Sequence, residues 1–168
     1  WRYNFDMNKT MRALTISQPH QAQIAETQIP EIAPNELLVR VMASGICGTD
    51  IHIFRGEYLG SYPVIPGHEF VGEVVALGQG AGEKYHLQLG DIAISEQIVP
   101  CWQCRFCRRG QYWMCQYGDV YGFRQQAFGA MAEYMLFPRN ALNYKVPASI
   151  PMKYAAYIEP LACAIHAV

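Results

Sequence analysis

The stretch Cys101-Trp102-Gln103-Cys104-Arg105-Phe106-Cys107-Arg108-Arg109-Gly110-Gln111-Tyr112-Trp113-Met114-Cys115 holds four of the chain's six cysteines in a C-x2-C-x2-C-x7-C spacing. Four thiolates so close in sequence can surround one tetrahedral zinc and leave no coordination position open, which staples a loop and performs no chemistry. Disulfides are the competing use of the same residues. Secreted disulfide scaffolds usually run to fewer than about 100 residues, and thiols spaced two residues apart pair only through strained loops. At 168 residues the metal reading prevails. An iron–sulfur carrier also opens with C-x2-C-x2-C but continues with x3-C-P, whereas here seven residues intervene and Gln116 follows the last cysteine. The chemistry must therefore lie outside this loop.

Working outward, Val, Ile and Leu recur in short runs punctuated by Gly and Pro, the pattern of an all-β barrel or sandwich. Strands are expected at Met11–Ile16, Glu36–Met42, Phe70–Leu77, Asp91–Glu96 and Ala132–Phe137, with a short helix over Cys47–Phe54. The glycines of 78–82 follow a strand, but Glu83 stands where a dinucleotide-binding fingerprint needs its last glycine, so the run reads as a turn. Toward the end, Ser149 is a candidate N-cap for a helix starting near Pro151 and running over Met152–Val168, interrupted by Pro160. That helix is apolar on most of its faces and needs a partner surface.

Hydrophobic residues make up 51% of the chain and charged ones 16%, enough to build a buried core. A net charge of -1 offers no electrostatic drive toward nucleic acid or an anionic membrane. No apolar run reaches the roughly 18 residues of a membrane span, and Trp1-Arg2-Tyr3-Asn4-Phe5-Asp6 lacks a signal-peptide core, so the expected location is cytoplasmic. Residues 1–10 read as an extension ahead of Met11.

With the four-cysteine loop set aside, a second group of metal-ligating residue types remains. Cys47 lies in Cys47-Gly48-Thr49-Asp50-Ile51-His52, and His68 in Pro66-Gly67-His68-Glu69, each at the end of an expected strand. A thiolate, an imidazole and a carboxylate form a three-ligand zinc site with one position open to water or substrate. Taken singly, each has a plainer reading, the cysteine as a small core residue and the His-Glu pair as surface. Arg105, Arg108 and Arg109 read as a solvated face beside the thiolates.

In combination these segments resemble the N-terminal, GroES-like catalytic domain of zinc-dependent medium-chain alcohol and polyol dehydrogenases. The residues that carry the resemblance are Cys47 to His52, Gly67-His68-Glu69 with Gly72, Gly90-Asp91, Cys101/Cys104/Cys107/Cys115, Ala132-Glu133-Tyr134 and Ile158-Glu159-Pro160-Leu161. The resemblance implies a mainly β fold, a partly open GroES-like β-barrel over 11–150 with short helices and a structural zinc loop at 101–115. A C-terminal helix at 151–168 would lead toward a Rossmann domain that this stretch does not contain. It also implies two zinc ions per chain. Cys101, Cys104, Cys107 and Cys115 would hold the structural one; Cys47 and His68, completed by Glu69 or Glu159, would hold the catalytic one. The Glu-Pro-Leu of 159–161 is similar to the sorbitol dehydrogenase branch, in which a carboxylate replaces a later cysteine, and Cys163 is then a buried thiol of the last helix.

By the same resemblance the reaction is oxidation of a secondary alcohol or polyol with hydride passing to NAD(P). Thr49 and His52 would relay the proton, and Asp50 would hydrogen-bond a ligand such as His68, unless it is simply a helix cap. These 168 residues alone are expected to be inactive, and the longer enzyme a homodimer or homotetramer. Two readings stand beside this one: a threonine-type amino-alcohol dehydrogenase, and a non-catalytic zinc-ribbon binding module, which leaves Cys47 and Gly67-His68-Glu69 without a role.

Overall fold

A computed structural model describes residues 10–58, 60–125 and 127–168. The chain opens with a hairpin, β1 (Thr10–Gln18) and β2 (Gln21–Gln28), in antiparallel register from Thr10↔Gln28 to Gln18↔Gln21. β3 (Leu37–Ser44) follows, then α1 (Gly48–Arg55), β4 (Phe70–Leu77), the short α2 (Ala81–Tyr85) and β5 (Ile92–Ser95). Two-residue strands β6 (Ile98–Val99) and β7 (Asp119–Val120) pair across the four-cysteine loop. β8 (Tyr134–Phe137), β9 (Asn143–Lys145), α3 (Met152–Ala155) and α4 (Ile158–His166) complete the described chain.

One antiparallel sheet, ordered β8-β3-β4-β5-β9, forms the frame. Between β8 and β4 runs β3, whose first three residues are buried on both faces, which is why Leu37-Leu38-Val39 is continuously apolar. Leu37 and Val39 meet Phe70, Tyr121, Met135 and Phe137 on one side, while Leu38 meets Met11 and Ile29 on the other. The hairpin joins this frame through the bridge Ala13↔Ala132 and a reciprocal pair between Ile16 and Val64, so the sheet curls on itself. Among the described residues no ladder joins β9 to β1, and the barrel stays partly open.

The expected strands are present, with Ala132 serving as a bridge residue ahead of β8. The extension assigned to residues 1–10 falls almost wholly outside the described residues; Thr10, within them, already pairs with Gln28. Two expectations are corrected. The glycine run is a turn only as far as Gly80, whose φ of 81° starts α2, because Ala81 finds a fully buried seat. At the C-terminal end there are two helices, not one: α3 starts after Pro151 with no role for Ser149 as cap, and the chain breaks at Ala156–Tyr157, ahead of Pro160. Pro160 itself fits inside α4, since the N–H it lacks belongs to a first turn that has no intrahelical acceptors. α3 docks Ala155 against Val71 and Val146, but α4 has no buried residue, and Leu161 and Ile165 are exposed. No helix of the described residues is long and apolar enough to cross a membrane.

Candidate zinc centres

The four-cysteine loop closes as its spacing demands. Ligand atoms of Cys101, Cys104, Cys107 and Cys115 all lie within 4.8 Å of one another. Backbone amides point at the sulfurs: Cys101 N–H donates to Cys115 Sγ at 3.2 Å, and Cys104 N–H to Cys101 Sγ at 3.4 Å. Such donors stabilise thiolates, and the amides of Cys107 and Gln116 hold the Cys104 thiol down at about 6. Burial, then the neighbouring thiols of Cys115 and Cys104, push Cys107 up to about 12. Four sulfurs that cannot all ionise together, in a pocket already supplied with N–H donors, suit a divalent soft-acid cation. Arg105 lies over the Phe106 ring at 4.6 Å, and Arg108 and Arg109 are exposed, as a solvated face requires.

The second group converges as well. Cys47, His68 and Glu69 bring one ligand atom each to within 4.8 Å of the others. Cys47 is the N-cap of α1, and Ile53, fully buried with Ile16 and Val64, anchors that helix to the barrel. Burying such a side chain contributes roughly 1.5–3 kcal/mol. The helix ends at Gly56, whose φ of 75° allows Glu57 N–H to reach the His52 carbonyl at 2.9 Å. His68 and Glu69 come from the turn entering β4. Gly67 has a φ of 101°, and a Cβ there would come within 2.9 Å of Met131 N, so only glycine fits.

Asp50 ties the two ligand segments together. One carboxylate oxygen accepts the Cys47 N–H at 2.8 Å and the other accepts the Gly67 N–H at 3.2 Å. The residue is 5% exposed and its Oδ1 stands 3.7 Å from His68 Nδ1, an ion-pair distance too long for a hydrogen bond. It therefore serves as helix cap and as His68's neighbour at once. His68 Nδ1 is buried with no hydrogen-bond partner, and Phe123 meets the ring edge-on at 5.3 Å. Because Nδ1 faces Asp50, Nε2 is left as the nitrogen for a metal.

Burial of the His68 ring opposes its charge, but Asp50 and Cys47 outweigh that and raise the imidazole to about 9. A protonated ring cannot ligate, so below this value zinc must displace the proton. Zinc takes the neutral imidazole and the thiolate, so zinc affinity of this site should climb as pH rises from neutrality toward 9, by about tenfold per pH unit for the His68 proton alone. Calorimetry in two buffers of different ionisation enthalpy would count the proton released; an affinity independent of pH would contradict it.

The remaining expected site residues are spread around this centre. Thr49 Oγ1 is 3.6 Å from Cys47 Sγ. His52 is exposed, with Nδ1 2.7 Å from Glu57 Oε2. Glu159 lies outside the Cys47-His68-Glu69 group and accepts a hydrogen bond from Cys163 Sγ at 3.1 Å. Cys163 is exposed, not buried as expected, because α4 has no covering surface here; the Glu159 carboxylate pushes its thiol up to about 11. Phe123 and Glu57 were not singled out from sequence. Glu57 follows the helix stop Gly56 and so could have been placed beside His52, but nothing in the sequence marks Phe123.

The alcohol dehydrogenase GroES-like domain matches residues 33–148. The chain is 46% identical to an erythritol/L-threitol dehydrogenase of Mycolicibacterium smegmatis over 94% of this chain and 46% of the relative. It is 38% identical to an L-threonine 3-dehydrogenase of Pyrococcus horikoshii, over 96% of this chain and 46% of that protein. A zinc-binding dehydrogenase of Sinorhizobium meliloti, solved with NADP, superposes with a TM-score of 0.86 at 33% identity, covering 95% of this chain and 45% of that one. The chain thus spans about half the length of the relatives it matches.

Proposed function

The chain belongs to the alcohol dehydrogenase GroES-like domain family, and from that premise we propose that it is the catalytic half of a zinc-dependent dehydrogenase that oxidises a secondary alcohol of a polyol, with NAD(P) as hydride acceptor. The observation that carries this reading is the convergence of Cys47, His68 and Glu69 on one point, a three-ligand set that leaves a tetrahedral metal one open position. The closed four-cysteine set offers no such opening, and its role is structural. Two zinc ions per chain, a homodimeric or homotetrameric enzyme and a cytoplasmic location belong to the same proposal.

Zinc at the open site supplies Lewis acidity, which lets a hydroxyl lose its proton near neutral pH. The chain's own residues supply position and a proton path. Asp50 holds the Cys47 and Gly67 amides at 2.8 Å and 3.2 Å, which sets the ligand spacing. Thr49, its hydroxyl beside Cys47 Sγ, can accept the substrate's hydroxyl proton while donating its own. His52 stands in solvent with Nδ1 fixed by Glu57, so its other nitrogen is placed to deliver that proton to water. NAD(P), once bound, would supply the hydride acceptor for the carbinol hydrogen, leaving a carbonyl at that carbon.

A polyol is favoured over an amino-alcohol because the erythritol/L-threitol relative is the more similar, at 46% against 38% identity. Steady-state rates of the full-length protein with erythritol, L-threitol and L-threonine, each with NAD and NADP, test this. Faster turnover of the polyols is expected, and preference for threonine would move the reading to the amino-alcohol class. Cys47→Ser should lower kcat/KM by more than about 100-fold, beyond what loss of a residue behind the ligands costs, while keeping the structural zinc. Unchanged turnover in that variant would sink the proposal.

A further inference from the structure

Gly45 sits two residues before Cys47, where β3 has just ended, and its N–H donates to the Glu69 carbonyl at 2.7 Å. It thereby continues the β3–β4 pairing that runs to Ser44↔Phe70, and it lies across from Glu69. Side chains directly opposite in an antiparallel pair share a face and compete for the same space. Gly45 contributes none. A Cβ built there would overlap Glu69 Oε2 outright and stand 3.0 Å from Glu69 Cβ and 3.2 Å from its Cδ. The Glu69 carboxylate therefore occupies the volume a side chain at 45 would need.

Backbone conformation does not explain this glycine. The glycines with positive φ are 56, 67, 80, 90, 110 and 122, and Gly45 is not among them. An L-residue could adopt its φ; what it could not do is leave Glu69 where it is. We infer that Gly45 is the positioning residue that selects Glu69 as the third protein ligand of the open site, by giving its carboxylate a seat against the backbone within reach of Cys47 and His68. Without that seat the carboxylate would have to swing out of the Cys47-His68 group. Glu159, the other glutamate with a claim on the metal, is engaged instead with Cys163 at 3.1 Å.

This inference rests on reading Cys47, His68 and Glu69 as a zinc site, and the test separates the two. Zinc titrations of the chain against a chromophoric chelator should show two binding steps. If the wild type and Cys47→Ser both bind a single zinc, the site reading fails and this inference with it. Given two steps, Gly45→Ala should weaken only the open site, by about 10- to 100-fold as for other losses of ligand support, and leave the four-cysteine step unchanged. Glu69→Ala should weaken it comparably, and adding Gly45→Ala to Glu69→Ala should cost nothing further, since the clashing carboxylate is gone. Unaltered affinity in Gly45→Ala, or an added loss in the double variant, overturns the role assigned to Gly45. Should Gly45→Ala fail to fold, recovery of a folded, singly weakened protein in the double variant upholds it, and a double variant that also fails to fold overturns it.

Discussion

Cys107→Ser should remove one zinc per chain and cost about 4 kcal/mol of stability, a size that loss of a structural metal can reach. Between the paired residues Val99 and Asp119 the lobe has little regular structure, only two single 3-10 turns at Cys107–Arg109 and Tyr112–Met114. Its packing is thin: Tyr112 meets Trp102 at 6.0 Å and Trp113 at 5.5 Å, the ties beyond the lobe are Trp102 Nε1–H donating to the Asn140 carbonyl, Tyr112 O–H to Glu96 and a ring contact of Trp113 with His166, and Trp102, Trp113 and Met114 are all substantially exposed. A loop with so little buried surface is held by what its sulfurs share, and Cys107, 6% exposed, is one of the two buried members. Serine supplies no thiolate, and its hydroxyl is left among three sulfurs. The damage should stay local, because the core around Leu37, Phe70 and Phe137 draws nothing from residues 101–115. Urea unfolding in excess zinc, with hydrogen exchange across 101–115, measures both parts. Retention of two zincs with an unchanged midpoint would show that the loop folds without its metal.

The reason this loop was legible in sequence is that its chemistry is written in spacing alone: four thiols at 101, 104, 107 and 115 have few ways to be satisfied. Strands such as β3 and β4 were legible because their apolar residues answer directly to burial. β2 was not, since none of its eight residues is buried; it is a strand because β1 pairs with it, not because of its own pattern. The break between α3 and α4 escaped for a related reason. Proline marks a helix boundary only when its N–H would have had an acceptor, and at Pro160 it would not. Cys47, His68 and Glu69 could be listed as ligand types from sequence, but their meeting depends on α1 being pinned by Ile53 and on Gly67 turning the chain, both tertiary facts. The exposure of Cys163 depends likewise on what lies against α4.

Asp50→Asn is the sharper probe of the open site, because it changes the charge while keeping the shape. Two backbone N–H groups, of Cys47 and Gly67, each need an acceptor from this one side chain. A carboxylate accepts at both oxygens, but an amide offers one oxygen and one NH2, so either Cys47 or Gly67 must face a donor. In a site only 5% exposed, that leaves a buried amide unsatisfied and costs about 1–3 kcal/mol. Displacing either amide shifts a ligand segment, so zinc affinity should fall by about 10- to 100-fold. A second effect runs the other way. Without the Asp50 charge, His68 loses a principal cause of its rise to about 9, and the imidazole competes less for protons at neutral pH. Zinc then displaces less proton in the variant than in the wild type. The two effects separate by pH. Near pH 9 only the lost orientation remains and the wild type should bind zinc more tightly by the full factor; toward pH 7 the gap should narrow. Chelator competition at both pH values reads this directly. A gap that stays constant from 7 to 9 would mean that Asp50 acts on the ligand segments alone and not on the charge of His68.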